Sequence, residues 1–141
     1  MLVDANLLLF ARDSSAVRHE AARGWLERVL NGTTRVGLPW ASLIAFVRIA
    51  THPRVYDAPL TIDQAWTQVE EWLAAPAAWV PSPTADHARI LGALLRDQQV
   101  TGNLASDAHL AALAIAHGIE LCSADSDFAR FPDLRWRNPL G

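Results

Sequence analysis

Four aspartates occupy positions in this 141-residue chain where carboxylates can act together. Asp4 ends a short apolar strand, and Asp125 and Asp127 follow a second one at 119–122. Asp107 lies in the first turn of a predicted helix. The carboxyl ends of parallel strands meet at one edge of a sheet, where such folds bind their ligands. Because the start of the helix can face the same edge, we expect the four carboxylates to form one acidic cluster.

Each aspartate also has an ordinary structural explanation. Asp4 can be the N-cap of a following helix, and Asp107 can interact with a helix dipole. Asp125 and Asp127 can belong to a turn or cap before Phe128. The arrival of all four at two strand ends and one helix start favours a site over four separate structural roles.

A cluster of carboxylates indicates a metal-binding site, because the charges repel one another unless a cation neutralises them. Hard oxygen ligands suit Mg²⁺, and Mn²⁺ is the alternative. One or two such ions can activate a water molecule and stabilise the charge on a phosphodiester during in-line attack. The cluster therefore predicts metal-dependent phosphodiester hydrolysis.

The elements that position these acids alternate between strands and helices. The predicted strands lie at 2–3, 35–38, 79–80 and 119–122, with a further edge strand at 134–136. The first predicted helix contains the apolar stretch 7–10, and the other predicted helices lie at 16–30, 40–50, 62–74, 84–97 and 105–117. This alternation predicts an α/β fold with a central parallel β-sheet of four or five strands, flanked by helices on both faces.

Length and composition narrow the class of protein. A chain of 141 residues is expected to form a single domain, 1–141, and its net charge of −3 argues against a surface that coats nucleic acid. The single cysteine, Cys122, cannot form an internal disulfide, and no apolar run reaches membrane-spanning length, so we expect a cytoplasmic protein with no membrane contact. All 12 basic residues are arginines, which excludes a P-loop, a Schiff-base lysine and a lysine-dependent phospho-acceptor domain.

Three segments resemble the motifs of PIN-domain ribonucleases. Val3-Asp4-Ala5-Asn6 resembles the opening Asp-x-Asn of that family. The helix at 103–117, which carries Asp107, resembles the helix of the third acid, and 121–128 resembles the Ser/Thr-x-Asp-x-Asp-Phe segment. The chain end at 131–139 is similar to the short C-terminal ending of the family, so the resemblance covers essentially the whole chain. Within the family, the chain is similar to VapC-type toxins of bacterial toxin–antitoxin pairs.

The resemblance implies an activity, a cofactor and partners. It implies a Mg²⁺-dependent endoribonuclease, a hydrolase that cuts cellular RNA such as tRNA or rRNA. It also implies a cognate antitoxin protein that blocks the site, and a homodimer. By position, the metal ligands would be Asp4, Asp107 and Asp125, with Asp127 completing the catalytic cluster. Asn6 and Ser123 would support these ligands through hydrogen bonds.

One departure from the family pattern concerns a glutamate that the family usually carries on the helix at 40–50. No Asp or Glu occurs between Leu30 and Asp57, and the register suggests that Phe46 stands in place of the acid. Glu70 and Glu71 are candidates to substitute from the next helix, with solvated helix charges as the ordinary explanation for both. The departure motivates an alternative function, a catalytically weak PIN-like module that binds RNA or a protein partner.

Four further residues are candidates for contact with RNA. Arg12, Arg48 and Arg54 are candidates for phosphate contact, with solvated or acid-paired arginine as the alternative. Trp40 is a candidate for stacking on a base, with packing as the alternative.

The histidines show no convincing metal-ligand spacing. His109 is two residues from Asp107 and is predicted to project to another face of its helix.

Overall fold

A computed structural model describes residues 1–141 and confirms the predicted α/β class. Six α-helices, five strands of two residues each and one 3₁₀ helix make up the fold. The helices are α1 (Ala5–Arg12), α2 (His19–Leu30), α3 (Trp40–Ala50), α4 (Ile62–Leu73), α5 (His87–Asp97) and α6 (Leu104–His117). The strands are β1 (Leu2–Val3), β2 (Val36–Gly37), β3 (Ala78–Trp79), β4 (Leu121–Cys122) and β5 (Trp136–Arg137). The 3₁₀ helix is Ser126–Arg130. None of the helices combines the length and apolar character needed to cross a membrane.

The five strands form one parallel sheet in the order β3-β2-β1-β4-β5. Strand β1 is central, with β4 on one side and β2 on the other. Leu2 is in register with Leu121, and Val3 with Cys122. The residues that follow β1 and β4 therefore emerge side by side at the same edge of the sheet, as the sequence predicted for Asp4 and Asp125.

Helices cover both faces of the sheet and form two apolar cores. Side chains alternate along a strand, so neighbouring residues of β1 and β4 face opposite layers. Val3 and Cys122 belong to the larger core beneath α1–α4. Leu2 and Leu121 belong to the smaller core beneath α5 and α6. Cys122 is fully buried, and this burial raises the pKa of its thiol to about 11.

Local signals in the sequence explain where several helices begin and end. Thr61 and Gln64 form a reciprocal capping box at the start of α4. Gly118 ends α6 with φ of 65°, a left-handed conformation that glycine adopts without steric cost. The helix predicted at 16–30 begins only at His19, because the Asp13 carboxylate accepts hydrogen bonds from the backbone N–H and the hydroxyl of Ser15 and holds a turn there.

Candidate metal centre

Asp4 connects the end of β1 to the end of β4. Its backbone N–H donates to the carbonyl of Cys122 at 3.0 Å, which continues the pairing of the two strands by one residue. One carboxylate oxygen accepts from the backbone N–H of Ala5 at 2.7 Å, so Asp4 is the N-cap of α1. The other oxygen accepts from the Ser123 hydroxyl at 2.8 Å. The capping explanation and the site explanation of Asp4 are therefore compatible, because each oxygen retains a free lone pair.

The buried Ser123 hydroxyl forms hydrogen bonds with three residues of the site. It donates to Asp4 and accepts from the Asn6 side-chain amide at 3.0 Å and from the backbone N–H of Asp125 at 3.0 Å. A hydroxyl has one donor and two acceptor positions, so this one is fully satisfied. The Asn6 side-chain oxygen accepts in turn from the backbone N–H of Ala124 at 3.3 Å. Asn6 and Ser123 thus hydrogen-bond to Asp4 and to the 124–125 backbone, and the supporting role that the resemblance implied for them stays a prediction.

Three carboxylates converge beside this network. Asp107, Asp125 and Asp127 each offer an oxygen, and these oxygens lie within 4.8 Å of one another. Asp125 caps the 3₁₀ helix, since its carboxylate accepts from the backbone N–H of Asp127 at 2.9 Å. The tightest group therefore includes Asp127, with Asp4 adjacent, whereas the predicted metal ligands were Asp4, Asp107 and Asp125. All four predicted acids lie at one edge of the sheet, and their individual roles stay predictions.

The electrostatics of Asp107 reflect this crowding. Its pKa is raised from 3.8 to about 6, mainly because the carboxyl is partly buried and then because Asp4, Asp125 and Asp127 carry like charge. Arg130 on the 3₁₀ helix acts in the opposite direction. A carboxyl held near its pKa at neutral pH beside other acids is a signature of functional sites.

Asp4 is also perturbed toward the protonated form. Burial raises its pKa most, the hydrogen bonds from Ser123 and Ala5 lower it, and the charge of Asp125 raises it. The raised pKa values of Asp4 and Asp107 bear on whether these residues could bind a divalent cation. The donor set consists of hard carboxylate oxygens, and a cation would remove the repulsion that burial and crowding impose on them, so the residues fit Mg²⁺ or Mn²⁺.

An open groove of about 830 Å³ lies beside the acids, between α3 and α6. Asp4 and Asp107 line it together with Trp40 and Arg48, two of the predicted RNA-contact residues. Trp40 is 46% exposed and stacks on Trp66 with the ring centroids 6.3 Å apart and the planes 9° from parallel. The groove thus offers the aromatic face of Trp40 and the positively charged guanidinium of Arg48 at the acidic edge of the sheet.

The structure does not bring Arg12 and Arg54 to this groove. Arg12 is the last residue of α1, at the end opposite Asp4, and lines other pockets with Glu71 and Tyr56. Arg54 lies in the loop beyond the far end of α3.

Phe46, which the register placed where the family has a glutamate, and the two glutamates considered as substitutes all lie outside this groove. Phe46 is 1% exposed and packs edge-on against Trp72 in the larger core, at a centroid distance of 4.8 Å. Its side chain therefore faces away from the groove. Glu70 and Glu71 are exposed residues near the end of α4, and neither lines the acidic groove. The α3 residues that do line the groove include no acid; they are Trp40, Ala41, Ile44, Ala45 and Arg48.

Two groove or cluster residues were missed by the sequence analysis. His109 lines the same groove as Asp107, and the predicted difference in the faces of the helix that carry the two side chains stays a prediction. It lies four residues after Ala105, which also lines the groove, and this helical spacing was the available signal. Arg130 follows Asp127 by three residues and donates to its carbonyl at 3.2 Å, but no predicted element placed it near the acids.

Comparison with known sequences shows the family to which the chain is similar. The family described as PIN domain matches residues 1–134. The chain is 46% identical over 138 residues to Ribonuclease VapC37 of Mycobacterium tuberculosis, covering 98% of this chain and 96% of that protein. It is 39% identical over 140 residues to Ribonuclease VapC33 of the same species, covering 99% of this chain and 98% of that protein.

Solved structures with the same fold come from two further bacteria. The crystal structure of VapBC2 from Rickettsia felis bound to a DNA fragment from its promoter aligns with a TM-score of 0.69 at 17% identity, over 97% of this chain and 96% of that chain. The structure of VapBC-1 from nontypeable Haemophilus influenzae aligns with a TM-score of 0.70 at 14% identity, over 99% of this chain and 98% of that chain. At these identities the alignments establish the shared fold.

Proposed function

Because the chain belongs to the PIN-domain family, among relatives named VapC ribonucleases, we propose that it is a metal-dependent endoribonuclease and the toxin of a toxin–antitoxin pair. The observation that carries the proposal is the convergence of Asp107, Asp125 and Asp127 within 4.8 Å, next to Asp4. Mg²⁺ is the proposed cofactor, with Mn²⁺ as the alternative. The proposed compartment is the cytoplasm, where RNA substrates occur.

The acidic residues have distinct proposed tasks. Asp107, Asp125 and Asp127 hold the cation, and Asp4 adds a fourth carboxylate from the neighbouring strand. A cation held by these residues would supply positive charge next to the phosphodiester and would lower the pKa of a bound water. Ser123 and Asn6 keep Asp4 and the 124–125 backbone in place, so the carboxylates are oriented before substrate arrives.

One stripe of α3 is the proposed contact surface for RNA. Trp40, Ile44 and Arg48 are four residues apart, are exposed, and line the groove together. Eight residues of helix span roughly 12 Å, so Trp40 and Arg48 are separated by about that length along the helix axis. Arg48 takes part in none of the four salt bridges of the protein, which leaves its guanidinium available to a phosphate. The proposal for Arg12 and Arg54 has no comparable support, since neither lies by the acids.

A cleavage assay tests the proposed activity. Bulk tRNA and ribosomal RNA are incubated with the purified protein in Mg²⁺, in Mn²⁺ and in EDTA, and new 5′ ends are mapped by sequencing. We expect cleavage with metal and none in EDTA, and we expect Asp4→Asn and Asp125→Asn to abolish it. Asp57→Asn changes an exposed acid outside the cluster and is the matched control. Cleavage that survives EDTA or both cluster variants would contradict the mechanism.

The α3 stripe has a separate test. Trp40→Ala should weaken binding of RNA in EDTA by about tenfold, because stacking of one base on an aromatic side chain is worth ~1–3 kcal/mol. Trp40→Phe keeps an aromatic face and should restore most of the affinity. If the alanine variant binds RNA normally but becomes monomeric, the exposed aromatic pair serves association of two copies instead.

The partners are proposed on the same basis. The cognate antitoxin is a small protein that blocks the acidic groove, and its coexpression should abolish cleavage. The proposed assembly is a homodimer, so sedimentation equilibrium should give twice the mass of the chain. A monomer at micromolar concentration would contradict that part of the proposal.

A second candidate function is a catalytically weak PIN-like module that binds RNA or a protein partner. The absence of an acid from the groove-facing side of α3 favours it, because the cluster then has one carboxylate fewer than the family pattern. Binding of tRNA without any metal-dependent product would support this alternative.

A further inference from the structure

Two histidines form a contact at the edge of the acidic groove that the proposed metal chemistry does not use. His87 is the first residue of α5, and His109 lies on α6, two residues after Asp107. Nε2 of His87 and Nδ1 of His109 are 3.0 Å apart, and the rings meet edge to face at 75° with their centroids 4.9 Å apart. The distance is that of a hydrogen bond, so one of the two nitrogens carries a proton and the other does not.

The second ring nitrogen of His87 decides between the two possible proton arrangements. His87 Nδ1 is buried and has no hydrogen-bond partner. If His109 Nδ1 donated to His87 Nε2, neutral His87 would carry its proton on Nδ1 and leave a buried N–H without an acceptor. If His87 Nε2 donates, Nδ1 is only an unpaired acceptor. Folded proteins leave buried acceptors unpaired more often than buried N–H groups, so the geometry favours donation by His87.

This arrangement has a consequence for His109. With Nδ1 accepting from His87, neutral His109 carries its proton on Nε2. His109 lines the groove that contains Asp4 and Asp107, and Nε2 is the polar atom it has left for that groove. In this form His109 offers an N–H donor to the groove, whereas the opposite proton arrangement would offer only a lone pair.

We propose that His87 holds His109 as an Nε2–H donor that binds a phosphate oxygen of the RNA beside the acidic cluster. The role rests on the proposed ribonuclease function. His109 is then a substrate-binding residue, and His87 is a positioning residue that acts through it. An uncharged donor suits this position, because it can approach a phosphate without pairing permanently with the neighbouring aspartates.

The first test reads the proton position directly and does not depend on RNA. Long-range ¹H–¹⁵N spectra of the imidazole rings are recorded at pH 8, where histidines with an ordinary pKa of about 6.5 are neutral. Spectra of His87→Gln and His109→Gln assign the two rings. We expect the proton of His109 on Nε2, and in His87→Leu we expect a mixture of the two forms. A proton on His109 Nδ1 in the unsubstituted protein would overturn the proposal.

The second test measures binding of bulk tRNA in EDTA, so that no cleavage takes place. His109→Leu should weaken binding about tenfold, the cost of losing one hydrogen bond to a charged group. His109→Gln places an amide N–H near the position of Nε2 and should stay within about threefold of the unsubstituted protein. His87→Leu should give a smaller loss than His109→Leu, and His87→Gln, which can still donate to His109, should give none.

The outcomes separate this inference from the proposed function. Normal tRNA binding by His109→Leu, or an equal loss in His109→Gln, would overturn the role of His109 as a donor. If a leucine variant fails to fold, the glutamine variants and the spectra still decide. A protein that shows the expected tautomer and binding losses but never cleaves RNA would contradict the ribonuclease proposal alone.

Discussion

Replacing Asp107 by asparagine should stabilise the metal-free protein at neutral pH while it abolishes metal-dependent cleavage. The Asp107 carboxyl is partly buried among Asp4, Asp125 and Asp127, which is why its pKa is raised from 3.8 to about 6. Its ionised form is therefore disfavoured in the folded state relative to the unfolded chain. Asparagine keeps the shape of the side chain and removes the charge.

The pH dependence of this effect has a definite sign. Below pH 3.8 the carboxyl is protonated in both states, so it contributes nothing to the difference in free energy. Between 3.8 and about 6 the unfolded chain loses the proton first, and the stability of the unsubstituted protein falls as pH rises. Above about pH 6 Asp107 is ionised in both states, and its destabilising effect on the folded state is complete. The advantage of the asparagine variant should thus be smallest near pH 4 and largest above pH 7.

The magnitude follows from the size of the pKa shift. A shift of about two units corresponds to roughly 3 kcal/mol before solvent screening is considered. Because Asp107 is only partly buried, solvent screens part of this penalty, and we expect about 1 kcal/mol at pH 7.5. For a chain of this length that is a rise in Tm of roughly 3–5 °C.

Thermal unfolding followed by circular dichroism in EDTA measures the effect. The unsubstituted protein, Asp107→Asn and the exposed-acid control Asp57→Asn are compared at pH 4.5, 6 and 7.5. Adding Mg²⁺ should raise the Tm of the unsubstituted protein more than that of Asp107→Asn, because the cation binds only the folded state. The reasoning is refuted if Asp107→Asn is no more stable than the unsubstituted protein at pH 7.5 in EDTA, or if its advantage persists at pH 4.5.

Three further predictions concern two residues of the site, Ser123 and Asp4, and one residue of the sheet, Gly37. Ser123→Ala removes a hydroxyl that forms hydrogen bonds with Asp4, Asn6 and the Asp125 backbone. The affinity for Mg²⁺, measured by calorimetry, should therefore fall about 10–100-fold. An unchanged affinity would contradict the supporting role of Ser123. Asp4→Ala should cost about 1 kcal/mol in urea unfolding through loss of the α1 cap, whereas Asp4→Asn should keep most of that stability and still abolish cleavage. Gly37→Ala should destabilise the sheet by roughly 1–3 kcal/mol, because a Cβ there would lie 2.9 Å from Pro81 Cγ; a normal Tm would show that Pro81 moves aside freely.

Much of the fold was predictable because its signals are local. Helix and strand periodicity predicted the order of the elements, and the capping box at Thr61 and the glycine at position 118 marked two helix ends. Parallel connection through helices then required the ends of β1 and β4 to share an edge. The shared edge of Asp4 and Asp125 follows from that topology, whereas the direct pairing of β1 with β4 was shown only by the structure.

The 3₁₀ helix at Ser126–Arg130 was not predicted, because its periodicity is too short to register as an apolar pattern. It matters for the site, since it brings Asp127 into the triad and Arg130 near Asp107.

The sequence alone determined which acids are available and which end of the sheet they reach, because the alternation of strands and helices implies parallel strands whose carboxyl ends share one edge. Only the tertiary structure decided which side chains of α3 and α6 face the groove. The rotation of a helix about its axis is set by the packing of its apolar face, which turned Phe46 into the core and left Trp40 and Arg48 at the groove. The same packing brought His109 against His87, at a sequence separation of 22 residues that no local pattern reports.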